Sequence, residues 1–197
     1  TLLGADDKAG VAEILTLAER FLKHPEIRHG KLCIAFTPDE EIGRGAKRFR
    51  IPELGADFGY TVDGGTLGEI EFENFNAAAA HVEFQGRSIH PGSAKDKMLN
   101  AATLAMEFHA MLPVRETPEN TENREGFFML SDIHGCVDHA ASDYIVRDHD
   151  KTKFEQKKAR LEKIAAYLND KYGEGCVKLT VKDSYYNMLE KLKDHMD

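Results

Sequence analysis

The chain has 197 residues, 42% hydrophobic and 30% charged, an ordinary globular composition for one large domain or two small ones. Its net charge of −8 argues against binding a nucleic-acid backbone, which needs a basic face, and no apolar run approaches the length of a membrane span. Cys33, Cys136 and Cys176 are odd in number and form no CxxC pair, so buried thiols in a reducing cytoplasm are expected.

The chain opens at Thr1 directly on strand-like residues, without methionine or a signal-like stretch, and reads as a piece of a longer protein. A short apolar segment leads to Asp6 and Asp7. A helix is predicted over 8–23, because Val11, Ile14, Leu15, Ala18, Phe21 and Leu22 share one face. Asp7 is expected to cap it, where the helix dipole favours negative charge. A turn at His24-Pro25-Glu26 precedes an apolar strand at 31–36, a short helix is suggested at 43–50, and another strand at 58–62 ends on Asp63.

The texture changes after about Asn74. Ala78, Ala80, Val82 and Phe84 alternate with Ala79, His81, Glu83 and Gln85, the pattern of a half-buried strand. A helix at 96–112, a polar loop at 113–126, and strands at 127–133 and 144–147 follow. A charged helix at 151–169 buries Phe154, Leu161, Ile164, Ala165 and Leu168, and a strand at 177–181 closes the set. The order strand, helix, strand, strand, helix, strand is the ferredoxin-like arrangement, over 75–185. Residues 186–197 begin another helix, and residues 1–74 form a separate α/β portion.

The chemistry concentrates at three predicted strand ends. Thr37-Pro38-Asp39-Glu40-Glu41-Ile42-Gly43 carries three consecutive carboxylates after an apolar run. Gly4-Ala5-Asp6-Asp7-Lys8-Ala9-Gly10 and Thr61-Val62-Asp63-Gly64-Gly65 each end an apolar segment in acid. Adjacent carboxylates repel, and one is pushed toward protonation unless a cation neutralises them. If the three ends converge on one sheet edge, they form an oxygen-rich site suited to divalent metals. Each motif alone would read as a solvated acidic turn.

Standing in this order, with His90-Pro91-Gly92 and Asp183-Ser184-Tyr185-Tyr186-Asn187-Met188 behind them, these motifs resemble the dizinc aminopeptidases and carboxypeptidases, the family that also includes carnosinase-like dipeptidases. The likeness covers essentially the whole chain and is nearest to the family's cytoplasmic tripeptide aminopeptidases. It implies an α/β fold: part of a zinc-peptidase sheet domain (1–74), an inserted ferredoxin-like βαββαβ lid that dimerises (75–185), and the start of a return to the sheet domain (186–197). It also implies two zinc ions per subunit in the intact protein. Asp6 then resembles the bridging ligand, Glu41 a ligand of one zinc, and Asp63 a ligand of the other. Glu40 matches the general base, which passes a proton from the attacking water, shared by the zinc pair, to the leaving amine. His90 resembles a lid histidine that holds the substrate carbonyl or oxyanion, often across the dimer interface. Arg147 resembles the lid arginine that binds the peptide's C-terminal carboxylate, with an ion pair to Asp148 or Asp150 as the competing assignment. His109, His134, His139, His149 and His195 lack ligand spacing.

Two zinc histidines of that pattern are missing, one upstream of Asp6 in a His-x-Asp motif and one downstream of the lid. The metal site of this chain is therefore expected to be incomplete, and the piece itself inactive. Two other classes compete with a tripeptide-cleaving dimer. One is a non-catalytic dimerisation or binding module with a remnant acidic site, disfavoured because Asp6, Glu40, Glu41 and Asp63 are all kept. The other is a magnesium-dependent phosphohydrolase, disfavoured because no phosphate-cradling loop accompanies the acids.

Overall fold

The computed structural model of the chain describes residues 6–196. They fall into two compact units, which divide between Ile70 and Glu71. The apolar segment expected just before Asp6 lies outside the described residues.

The first unit is built around α1 (Lys8–Lys23). The Asp7 carboxylate caps it, accepting the Gly10 N–H at 3.0 Å. Arg20 and Lys23 lie in its last turn, where the dipole favours cations, and Pro25 ends it. The rest of the unit departs from expectation. Residues 31–36 and 58–62 are not strands, since neither has a ladder partner among the described residues. A short apolar run cannot announce whether a neighbour exists to pair with it, and Leu32, Ile34 and Phe36 remain exposed. Residues 43–50 form turns rather than a helix, because Gly43 takes a left-handed φ of 66°. The helix there is the short α2 (Ile51–Leu54), which starts with Pro52 in its first turn.

The second unit has the ferredoxin-like order. It runs β1 (Asn76–Gln85), α3 (Ala101–Ala110), β2 (Phe127–Gly135), β3 (His139–Asp148), α4 (Lys151–Tyr172) and β4 (Val177–Tyr185). The strands lie in the order β2-β3-β1-β4, every neighbouring pair antiparallel. Ala78, Ala80, Val82 and Phe84 of β1 face the core beneath α3 and α4, as the alternation predicts. Alanine is a weak strand former, so Ala77 to Ala80 hold β conformation through pairing on both edges rather than propensity. Helix α3 begins at Ala101, five residues later than predicted. Asn100 caps it by accepting N–H groups from Ala102 and Thr103, and the residues before it are taken up by a turn at 95–97 and the Arg87–Leu99 bridge. Residues 189–195 form only the short α5 (Leu189–Leu192) and a 3-10 turn.

The core is aromatic at its centre. Phe108 meets Phe84 edge-on at 5.6 Å and lies 6.0 Å from Tyr144. Burial pushes the Tyr144 phenol up to about 12, so it stays neutral against its hydrogen-bond partner His109. At the rim, the Lys158 ammonium donates to both oxygens of Asp183, at 2.8 and 3.1 Å. The cysteines are free, but only Cys176 is buried; Cys33 is half-buried, and Cys136, in the turn between β2 and β3, is exposed.

Phe108→Ala is expected to lower unfolding stability by about 3–5 kcal/mol, read as a shift of the denaturant midpoint at constant slope. Lys158 and then Tyr186 hold the Asp183 carboxyl below its ordinary 3.8. The folded value lies below the unfolded one, so this stabilisation is present above the unfolded value and lost as pH falls through the folded value. Asp183→Asn should cost about 1 kcal/mol at neutral pH and flatten the acid limb of the stability curve below 3.8.

Candidate metal centre and peptide-binding residues

In the first unit, single carboxylate oxygens of Asp6, Asp7 and Asp63 all lie within 4.8 Å of one another. Two local features assemble them. Asp6 and Asp7 enter α1, with Asp7 turned back as its cap, and Asp63 is held where its carboxylate accepts its neighbour's N–H, Gly64 N, at 2.7 Å. Gly10 makes the close approach possible. A Cβ at this buried position would collide with the Asp7 carboxylate and lie 2.8 Å from the Val62 carbonyl oxygen.

The electrostatics follow from the crowding. Asp63, hydrogen-bonded to Asp6 and repelling it, lifts the Asp6 carboxyl above its ordinary value; burial and repulsion from Glu41 and Asp7 add to this. A carboxyl pushed toward protonation by its anionic neighbours is relieved by a divalent cation. The three oxygens therefore fit such an ion through hard donors, and no histidine joins them among the described residues.

Glu40 and Glu41 lie on an exposed turn. Its backbone closes through the Gly43 N–H to the Glu40 carbonyl at 2.7 Å and the Arg44 N–H to the Asp39 carbonyl at 2.9 Å. Asp39 takes a left-handed φ of 65° at the bend. Glu41 is close enough to act electrostatically on Asp6, whereas Glu40 is not among the grouped carboxylates. The third member of the cluster is Asp7. A capping aspartate is read from sequence as a cap alone, yet the Asp7 side chain serves the helix and the acidic group together.

The second unit carries the other two residues singled out. His90 is exposed and caps a 3-10 turn, its Nδ1 accepting the Gly92 N–H at 3.2 Å. That bond leaves the proton of the neutral ring on Nε2, as an outward donor. Arg147 lies on β3, opposite Ala77 of β1 and Phe127 of β2. The competing ion pair is not formed. Asp148 is engaged by Lys157 and the Asp150 N–H, and the Asp150 carboxylate caps α4 through the Lys153 N–H. The register places Arg147 at one end of the β1–β3 ladder, and the loop that carries His90 leaves β1 at the other.

The chain is 56% identical over 193 residues to Peptidase T of Clostridium novyi (strain NT), covering 98% of this chain and 47% of that one. Among solved structures it is similar to the aminopeptidase PepT of Bacillus cereus ATCC 10987 (28% identity, TM-score 0.77). It is likewise similar to a tripeptidase of Staphylococcus aureus (26% identity, TM-score 0.79). Each of these alignments covers 95% of this chain and 50% of the other. The chain thus spans about half the length of the relatives it matches. Residues 72–176, which contain β1, β2 and β3 with α3 and α4 and end just before β4, match the model of the M20 peptidase dimerisation domain, and the chain belongs to that family.

Proposed function

We propose that this chain is the carboxylate-bearing and lid portion of a zinc-dependent aminopeptidase that removes the N-terminal residue from tripeptides. The observation that carries this reading is the convergence of Asp6, Asp7 and Asp63 in a chain 56% identical to a Peptidase T. Asp6 would hold both zinc ions, Glu41 one and Asp63 the other, and the nitrogen ligands come from outside this span. Bound zinc supplies Lewis acidity and lowers the pKa of water toward neutrality. Glu40 takes a proton from the attacking water as its oxygen bonds to the scissile carbonyl carbon, and returns it to the amine as the C–N bond breaks. The His90 Nε2–H donates to the oxyanion, and the Arg147 guanidinium binds the C-terminal carboxylate.

The lid geometry supports a homodimer with shared sites. Ala77 and Gln85 stand eight residues apart on β1, roughly 26 Å at strand rise. A tripeptide cannot bridge the Arg147 and His90 ends of one lid, so His90 would act on the substrate held by the partner copy. No helix among the described residues is long and apolar enough to cross a membrane, and the free state of the cysteines supports a cytoplasmic setting. The confinement of the family match to residues 72–176 favours a second reading, a non-catalytic dimerisation module.

The test is a chimera in which this chain replaces the matching span of the Clostridium novyi relative. Tripeptidase activity lost on chelation and restored by zinc supports the peptidase; an inert, dimeric chimera supports the module. This chain alone, with carboxylate ligands only, should lack the chimera's turnover. Glu40→Gln should lower kcat by about 10²–10⁴-fold with zinc still bound, measured by metal analysis of the dialysed protein. Mixing His90→Ala and Arg147→Ala chimeras, each strongly impaired alone at subsaturating free tripeptide, should recover about a quarter of the activity under those conditions if sites are shared across a two-fold dimer, and none if they are not.

A further inference from the structure

Arg147 sits in an unusual setting for a surface-sheet arginine. Its guanidinium lies over the Phe75 ring, 5.9 Å from the centroid. Its Nε is buried and meets no acceptor among the described residues, and no carboxylate there pairs with the group. Phe75 is itself clamped, edge-on to Phe127 at 5.6 Å and tilted against His149 at 4.0 Å.

The backbone on either side of this aromatic shelf is pinned by three asparagines. Asn76 is 1% exposed and donates its amide to the carbonyls of Asp148 and His149, both at 3.0 Å. Its Oδ1 accepts the Asn187 N–H at 2.9 Å, and the Asn187 amide donates to the His149 carbonyl at 3.2 Å. Asn74 accepts the Met188 N–H at 2.8 Å and gives its own N–H to Asn187 Oδ1 at 3.2 Å. The residues before β1, after β3 and after β4 are thereby tied into one knot around Phe75.

We propose that Phe75 is a positioning residue for Arg147, and that the Asn76–Asn187 clasp fixes its ring. The inference rests on the reading of Arg147 as the carboxylate-binding residue. A ring face attracts a guanidinium without using its in-plane N–H donors, which stay free for a planar anion. A carboxylate neighbour would hold the arginine equally firmly but would occupy those donors. No carboxylate among the described residues pairs with the guanidinium, so its Nη N–H groups are left for a ligand while the buried Nε stays against the protein.

The experiment uses the chimera and two substrates, a tripeptide with a free carboxylate and its C-terminal amide. Arg147→Met tests the underlying reading: it should abolish the preference for the free carboxylate. Phe75→Leu should raise KM for the free acid by about tenfold, leave KM for the amide unchanged, and keep kcat within about twofold. Phe75→Tyr, which keeps the ring face, should restore the preference. If Phe75→Leu melts early, Phe75→Met gives the same comparison in a second side chain. A preference kept in Phe75→Leu and lost in Arg147→Met overturns the inference and leaves the reading intact. Equal loss on both substrates also overturns it, as the mark of a merely structural residue. A preference that survives Arg147→Met removes the reading and the inference together.

Discussion

Strand β1 sets the length scale on which the second unit depends. Its ten residues are hydrogen-bonded on both edges, to β3 and to β4. An element paired on two sides cannot shorten or slip without turning Ala78, Ala80, Val82 and Phe84 out of the core. The chemical groups at its two ends are therefore held a strand length apart. Arg147 is fixed by register at one end, and the His90 loop departs from the other. Under the proposed function, a small substrate that uses both groups would draw them from two lids.

The first unit is governed by a different constraint, the repulsion of anions. Asp6, Asp7 and Asp63 are brought together although doing so raises the Asp6 carboxyl above its ordinary value. Nothing in the local packing compels this. Gly10 gives up side-chain contacts so that the start of α1 can approach the Val62 carbonyl, and the approach carries Asp63 to the helix entry. Folding thus works against Coulomb repulsion here, as sites built to receive a cation do.

In the lid, ionic groups are paired: Lys158 with Asp183, Lys157 with Asp148 and Glu116, Lys171 with Glu107. Arg147 is held instead by an aromatic face, with no carboxylate paired to it among the described residues. An uncompensated arginine in the lid and an uncompensated acidic cluster in the other unit are what binding an anionic peptide terminus and a divalent cation would respectively require.

Periodicity alone determined most of the lid. The alternation along 78–85, the apolar stripe of 151–169 and the strand-helix order gave its topology, because those patterns report burial directly. The Asp7 cap and the acidic motifs were likewise written in local residue order. Only tertiary structure decided the rest. The runs at 31–36 and 58–62 had strand composition, but a strand exists through a partner that composition does not name. Asp7 joined the acidic group because of a distant close approach at Gly10, and Phe75, Asn76 and Asn187 met around Arg147 from segments more than a hundred residues apart. Contacts made across such separations leave no local period in the sequence; they arise when the sheet closes.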